Sequence, residues 1–224
     1  NPTLYFANAL RSGLIANGID VLGGAVDADD LVDAPVVDPA TAPFSHRSPT
    51  LPALADTLMK LSQNLYAETF LRTLGREKGT GGHAEAGIEV VRKVLASWGA
   101  PVNELVLADG SGLSRYNLIS PALVVAVLEH VYADDRLRGP FIASLPVAGR
   151  AGTLSNRMKG TVAEGTVQAK TGSFTNARSI AGFVNTAEGE PLVFDIMTNN
   201  YAAPAAQVDR VSDAIVAALA EFQR

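Results

Sequence analysis

Two short groups of polar residues could carry chemistry in this chain. The first is the segment "VQAKTGS", in which Lys170, Thr171 and Gly172 stand at the end of a strand-like run. A lysine at a strand end presents an ammonium beside backbone donors, and a threonine hydroxyl can hydrogen-bond an anion. A glycine lets a ligand come close to the backbone. Together these groups could bind a carboxylate; the alternative is a solvated lysine followed by a simple turn.

The second group lies upstream in "MKLSQNLYAE", where Ser62 and Asn64 interrupt an apolar helical pattern beside Lys60. Serine and asparagine also favour helix ends, so a cap between two helices is the alternative interpretation here. Neither group is specific when taken alone. Their order along the chain and their separation make the pair informative.

The composition limits the classes of protein to consider. The chain has 224 residues, 47% of them hydrophobic, which allows one sizeable domain, or one domain plus part of another. The net charge of −5 and the lack of a Lys/Arg run argue against nucleic acid as a partner. Because there are no cysteines, disulfides and thiolate metal sites are excluded. We predict no cofactor and no metal.

The hydrophobic pattern predicts an α+β fold, with an antiparallel sheet flanked by helices. Short β-like runs ("IDVLGGAV", "APVVD", "PFSHRS") follow an N-terminal helix, and the stretch from Asp134 to Gly165 is mixed and turn-rich. The predicted strands are "TVQAKTG", "SIAGFVNT" and "PLVFDIMT". The later helices are expected over Leu51–Gly75, Glu85–Trp98, Pro121–Tyr132 and about Ala205–Phe222.

Ser-x-Asn followed by Lys-Thr-Gly on a strand is the pattern of the penicillin-recognising serine acyltransferases. The segments "SPTLPALADTLMKLSQNLYAETFLRTLG", "LADGSGLSRYNLISP", "LPVAGRAGTL" and "QAKTGSFTNARSIAGF" resemble the D-alanyl-D-alanine carboxypeptidase/endopeptidase family, the class C low-molecular-mass penicillin-binding proteins. The similarity runs from about Asn1 to the C-terminal helix. It implies a domain of the serine β-lactamase/DD-peptidase type.

The resemblance also implies roles for individual residues. Ser62 would relay a proton to the departing amine, and Asn64 would bind the substrate's peptide group and an upstream lysine. Lys170 would supply positive potential and the Thr171 hydroxyl would bind the terminal carboxylate. Gly172 would admit the substrate beside the strand, and the Ser173 N–H would form half of an oxyanion hole. The histidines need play no part in such a lysine–serine relay.

One motif of the family is absent, because no serine of this chain has a lysine three positions later. Either the chain is the C-terminal part of a longer protein, whose nucleophile lies upstream, or it is a relative that has lost the nucleophile. We favour the first interpretation. It predicts that residues 1–42 are the tail of an inserted domain and that residues 43–224 belong to the catalytic domain.

The predicted function is therefore cleavage of D-Ala-D-Ala or D-Ala cross-link bonds through an acyl-enzyme. The expected partners are peptidoglycan stem peptides, β-lactam antibiotics as covalent inhibitors and the N-terminal remainder of the same protein. Such a substrate implies an extracytoplasmic location and an export signal outside this chain. Two alternatives are a non-catalytic wall-binding relative and a hydrolase that uses Ser111 of "ADGSGLS".

Overall fold

The computed structural model describes residues 1–33, 36, 38 and 46–224. It divides into two compact units, Asn1–Ser48 and Pro49–Arg224. The helices of the described residues are α1 (Pro2–Ala16), α2 (Leu51–Leu61), α3 (Asn64–Lys78), α4 (Ala84–Ser97), α5 (Pro121–Ala133), α6 (Asp135–Ser144) and α7 (Ala205–Glu221). The strands are β1 (Leu105–Val106), β2 (Leu118–Ile119), β3 (Gln168–Phe174), β4 (Ala177–Asn185) and β5 (Pro191–Asn199).

The first unit contains α1, whose start is capped by the side chain of Asn1. The β-like run predicted over "IDVLGGAV" is wrong, because residues 19–26 form no strand. The side chain of Arg11 instead binds the carbonyl oxygens of Val21 and Gly23, which a strand would have offered to a neighbouring strand. The other two predicted runs, "APVVD" and "PFSHRS", lie largely outside the described residues.

The second unit is built on an antiparallel sheet with the order β3-β4-β5. Lys170 pairs with Ala181, which in turn pairs with Asp195, so these three residues share one face of the sheet. Helix α7 packs on the opposite face, where Ile180 and Val216 are fully buried. The α+β prediction is confirmed, since helices cover an antiparallel sheet.

Helix α2 ends one residue before Ser62, which adopts a left-handed conformation with φ 56° and ψ 51°. Gln63 then caps α3 by accepting a hydrogen bond from the Leu65 N–H. The predicted helix over Leu51–Gly75 is therefore two helices separated by a tight turn. Leu61 and Leu65 are four positions apart and would share one face of a continuous helix, but they are 70% and 68% exposed because the turn breaks that face.

The stretch that the sequence pattern marked as turn-rich contains the helix α6. Asp134 caps it by accepting a hydrogen bond from the Arg136 N–H. Gly139 and Pro140 lie inside this helix, and both residue types lower helix propensity, which explains why the pattern missed it. A short 3-10 helix, Gly152–Leu154, follows and leads towards β3.

Candidate active site

The two polar groups meet where the C-terminal end of α2 reaches strand β3. The Lys170 amine donates a hydrogen bond of 2.7 Å to the Ser62 hydroxyl, although 108 positions separate the two residues in the sequence. The same amine donates a second bond of 2.7 Å to the Thr171 carbonyl oxygen. These two bonds fix the ammonium group at the end of α2.

Local backbone geometry holds the end of α2 against β3. The 3-10 helix Gly152–Leu154 packs against both elements. Gly152 has φ +63°, and a Cβ atom at this position would lie 2.8 Å from the Lys60 carbonyl oxygen. Because only glycine permits both the conformation and this close approach, it keeps Ser62 near Lys170.

The charge of Lys170 is available to an anion. Its side chain is partly buried, and the loss of water around the amine lowers the pKa of Lys170 below its ordinary value. Among the residues that the structure describes, no ion pair joins Lys170 to a carboxylate. A carboxylate that enters the site would therefore meet an uncompensated positive charge.

Thr171, Gly172 and Ser173 follow on the edge strand of the sheet. The Thr171 hydroxyl lies 2.7 Å from the hydroxyl of Thr153. Gly172 pairs with Ser179 in β4, and a Cβ atom on Gly172 would lie 2.4 Å from the Ser179 hydroxyl oxygen. A side chain larger than that of glycine therefore does not fit here without movement.

The peptide groups of β3 point alternately towards β4 and towards the open edge. The Ala169 N–H donates outward to the Pro146 carbonyl at 3.0 Å, and the Thr171 carbonyl accepts outward from Lys170. Two residues further on, the N–H of Ser173 has the same outward direction. This backbone donor thus faces the site instead of the neighbouring strand.

Asn64 is the first residue of α3 and lies two positions after Ser62. Its side chain is partly buried, yet the structure does not bring its amide into a hydrogen bond with Ser62 or Lys170. Of the six residues that the sequence pointed to, five converge around β3 and the end of α2. Asn64 lies beside them without direct contact of this kind.

A cleft of about 600 Å³ opens beside Gly172 and Ser173. Its wall includes Arg115, whose guanidinium lies 4.8 Å from the centre of the Phe174 ring. Arg115 could not be predicted from the sequence, because one arginine in a loop has no spacing signal. Its position adds a positive charge near the end of β3, where Arg178 also lines the cleft.

Asp195 is a further residue of interest that was not predicted, although a lone charge inside "PLVFDIMT" is a signal in the sequence. It shares a groove of about 460 Å³ with Lys170, on the sheet face that α5 flanks. Neither carboxylate oxygen has a hydrogen-bond partner among the described residues. Burial raises the pKa of Asp195 to about 6, which the nearby Ile196 N–H offsets only in part.

The other candidates have structural roles in the described residues. The Ser111 hydroxyl donates to Asp109 at 2.9 Å, and Asp109 also accepts from the backbone N–H groups of Gly112 and Ser114. These bonds brace a loop, and although burial opposes the shift they hold the pKa of Asp109 below its ordinary value, so its carboxylate is a weak base for Ser111. The ring of His130 stacks on Trp98 with centroids 4.2 Å apart.

Two further findings concern all of the described residues together. The described residues contain no group of three or more side chains that could hold a metal ion. Within the same residues, no helix has the combined length and apolar character that crossing a membrane requires.

Comparison with known proteins shows which family and which relatives this chain is similar to. Residues 1–222 match the model of the D-Ala-D-Ala carboxypeptidase 3 (S13) family. A D-alanyl-D-alanine carboxypeptidase from an Actinomadura species is 37% identical over 99% of this chain and 41% of its own length. A penicillin-sensitive carboxypeptidase A from Dictyostelium discoideum is 31% identical over 99% of this chain and 43% of its own length. The chain thus spans less than half the length of these relatives.

The fold comparison agrees. The crystal structure of penicillin binding protein 4 from Haemophilus influenzae, complexed with a β-lactam, superposes with a TM-score of 0.70 at 30% identity, over 77% of this chain and 42% of that one. The site described above therefore lies in a chain that belongs to the D-Ala-D-Ala carboxypeptidase 3 (S13) family.

Proposed function

We propose that this chain forms the part of a serine D,D-carboxypeptidase/endopeptidase that binds the peptide substrate and assists the departure of its amine. The observation that carries the proposal is the 2.7 Å contact between Lys170 and Ser62, beside an edge strand whose Ser173 N–H points outward. Family membership supports the same chemistry. The nucleophilic serine and its lysine partner would come from the upstream remainder of the protein.

The reaction would cleave a peptide bond between two D-alanines, or between D-alanine and a cross-linking residue. The upstream serine loses its proton to its lysine partner and attacks the carbonyl carbon, forming a tetrahedral adduct. Ser62 then gives its proton to the amine nitrogen as the carbon–nitrogen bond breaks, and it takes back the proton that the upstream lysine removed from the nucleophile. Lys170 donates a hydrogen bond to the Ser62 oxygen while this transfer occurs. Water later hydrolyses the acyl-enzyme and releases the acid.

The remaining residues hold the substrate in place. The ammonium of Lys170 and the hydroxyl of Thr171 bind the C-terminal carboxylate, and Asn64 binds the peptide group that precedes the scissile bond. The outward N–H of Ser173 stabilises the negative oxygen of the adduct together with the N–H of the nucleophile. One such donor is typically worth on the order of 100- to 1000-fold in rate.

The same geometry would accept a β-lactam, which presents a carboxylate beside a strained amide. Relatives whose names describe them as penicillin-sensitive, or whose structures hold a β-lactam, support this inhibitor class. The peptide substrate occurs in peptidoglycan, so the protein would act outside the cytoplasm. Its export signal would precede the residues of this chain.

A fluorescent penicillin tests the proposal directly. The complete protein is incubated with the reagent, denatured and examined for a covalently labelled band, with heat-unfolded protein and unlabelled benzylpenicillin as controls. A band that benzylpenicillin abolishes supports the enzyme. Absence of label on protein that is folded by circular dichroism contradicts it and favours a wall-binding relative without a nucleophile.

A further inference from the structure

Thr153 lies next to the carboxylate-binding residues but belongs to neither polar group found in the sequence. Its hydroxyl oxygen is 2.7 Å from that of Thr171. We infer that Thr153 is a positioning residue, which holds the Thr171 hydroxyl so that its proton points to the substrate carboxylate. This inference rests on the proposed function, because it concerns how that same site recognises its substrate.

The backbone around Thr153 is firmly placed. Leu154, the next residue, is fully buried, and its carbonyl accepts a hydrogen bond of 3.0 Å from the Gly149 N–H. Gly152, the preceding residue, lies against the Lys60 carbonyl at the end of α2. Thr153 itself is exposed. A rigid backbone therefore presents a single accessible hydroxyl to the edge of β3.

The number of protons on the two hydroxyls decides whether Thr171 can donate a hydrogen bond to a ligand. Each threonine hydroxyl has one proton to donate and two lone pairs that accept. If Thr171 donates to Thr153, no proton remains for a carboxylate. If Thr153 donates to Thr171, the Thr171 proton is free for the ligand, and the two bonds in series strengthen each other. An anionic ligand selects the second arrangement, because a carboxylate can only accept.

If Thr153 had only a structural role, its replacement would not affect ligands with and without a carboxylate differently. The Thr153 hydroxyl is accessible to water, so losing its bond changes the unfolding equilibrium little. The bond matters when Thr171 must present its proton in one direction. The effect should therefore depend on whether the ligand carries a carboxylate.

The experiment compares two variants and two ligands in the complete protein. Thr153→Val removes the hydroxyl at almost constant shape, and Thr153→Ser retains it. The rate constant of acylation is measured with benzylpenicillin and with its methyl ester, which lacks the free carboxylate. We expect Thr153→Val to lower the rate with benzylpenicillin about 3- to 10-fold. We expect no change with the methyl ester, and wild-type rates with both ligands for Thr153→Ser.

The other possible results contradict either the inference alone or the proposed function as well. An equal loss with both ligands in Thr153→Val, or no loss with either, overturns the inference while the proposed function stands. A loss in Thr153→Ser as large as in Thr153→Val also overturns it, because the hydroxyl is then not the group that matters. If benzylpenicillin does not acylate the wild-type protein, the proposed function fails and this inference fails with it.

Discussion

The hydroxyl of Ser62 receives a 2.7 Å hydrogen bond from Lys170, and the residue that carries it has a backbone φ of 56°. A side chain with a Cβ atom is disfavoured in this left-handed region, where glycine is tolerated freely. The position thus carries a hydroxyl, to which we assign a role in proton transfer, at a backbone site that would be more stable without any side chain. Stability and activity should respond in opposite directions to its replacement.

Replacing Ser62 with glycine or alanine separates these two effects. Both variants lose the hydroxyl, so both should acylate with fluorescent penicillin about 100-fold or more slowly, which is the usual loss of a proton-transfer group. Ser62→Gly should have a free energy of unfolding about 1 kcal/mol above that of Ser62→Ala, because it relieves the left-handed strain. Urea unfolding and labelling rates measure the two quantities. Wild-type labelling of Ser62→Gly would exclude Ser62 from proton transfer.

The charge of Lys170 predicts how the rate of acylation depends on pH. Because burial lowers the pKa of Lys170, its ammonium loses its proton at a lower pH than an exposed lysine would. If this charge binds the carboxylate, acylation by benzylpenicillin should fall as the pH rises through the lowered pKa. Lys170→Arg keeps its charge at any accessible pH, so it should react more slowly overall but lose that alkaline decline.

The measurement is a pH–rate profile from about pH 7 to about pH 11, a range that includes the ordinary lysine pKa. The methyl ester of benzylpenicillin serves as the control ligand, because it has no free carboxylate for Lys170 to attract. An alkaline decline of the same size and midpoint in Lys170→Arg and in the wild type would show that another group titrates.

The sequence predicted the three antiparallel strands and the hairpin at "AEGE", because apolar strand-like runs and a short polar connection specify them locally. The two motifs that contain Ser62 and Lys170 also predicted, through the family resemblance, that these residues belong to one site. The sequence did not predict helix α6, where Gly139 and Pro140 obscure the periodicity. Nor did it predict Thr153, which reaches the site only because the fold lays a short 3-10 helix against β3. Such contacts arise from tertiary packing and have no counterpart in residue spacing.

The strand-like run predicted over residues 19–26 is absent because a side chain binds its backbone groups. Its β-branched residues favour a strand, but a strand needs a neighbour for its backbone groups, and here the side chain of Arg11 binds the carbonyls of Val21 and Gly23. Local propensity alone could not have predicted this long-range partner.

The contact between Gly172 and Ser179 predicts a rescue. In Gly172→Ala the new Cβ would lie 2.4 Å from the Ser179 hydroxyl oxygen, so either the Ser179 hydroxyl rotates or β3 shifts together with the donors at its edge. We expect the free energy of unfolding to fall by about 1 to 3 kcal/mol and acylation to slow markedly. Adding Ser179→Ala leaves the Ser179 Cβ, at 3.8 Å, as the nearest atom.

The double variant should therefore regain most of the lost stability and much of the lost acylation rate. Ser179→Ala alone is the matched control and should be close to wild type in both measurements. The explanation is wrong if the double variant is as impaired as Gly172→Ala, since the hydroxyl would then not be the obstacle.

Asp195 predicts how stability depends on pH. Its folded-state pKa of about 6 exceeds the ordinary value of 3.8, so the folded protein holds this proton more tightly than the unfolded chain does. The resulting stabilisation is complete below about pH 4 and is lost as the pH rises through about 6. Asp195→Asn cannot ionise, so its free energy of unfolding should exceed that of the wild type at pH 8, by about 1 to 3 kcal/mol.

Urea unfolding at about pH 4 and about pH 8 checks this prediction, since the two values bracket the titration. The advantage of Asp195→Asn over the wild type should be small at the acidic pH and should grow at the alkaline one. Glu129→Gln, which removes the same charge from an exposed position on α5, is the control and should show no such growth. An advantage of Asp195→Asn that is equal at both pH values would mean that the pKa of Asp195 in the folded protein is not raised above its value in the unfolded chain, because stability depends on pH only where the two states bind different numbers of protons.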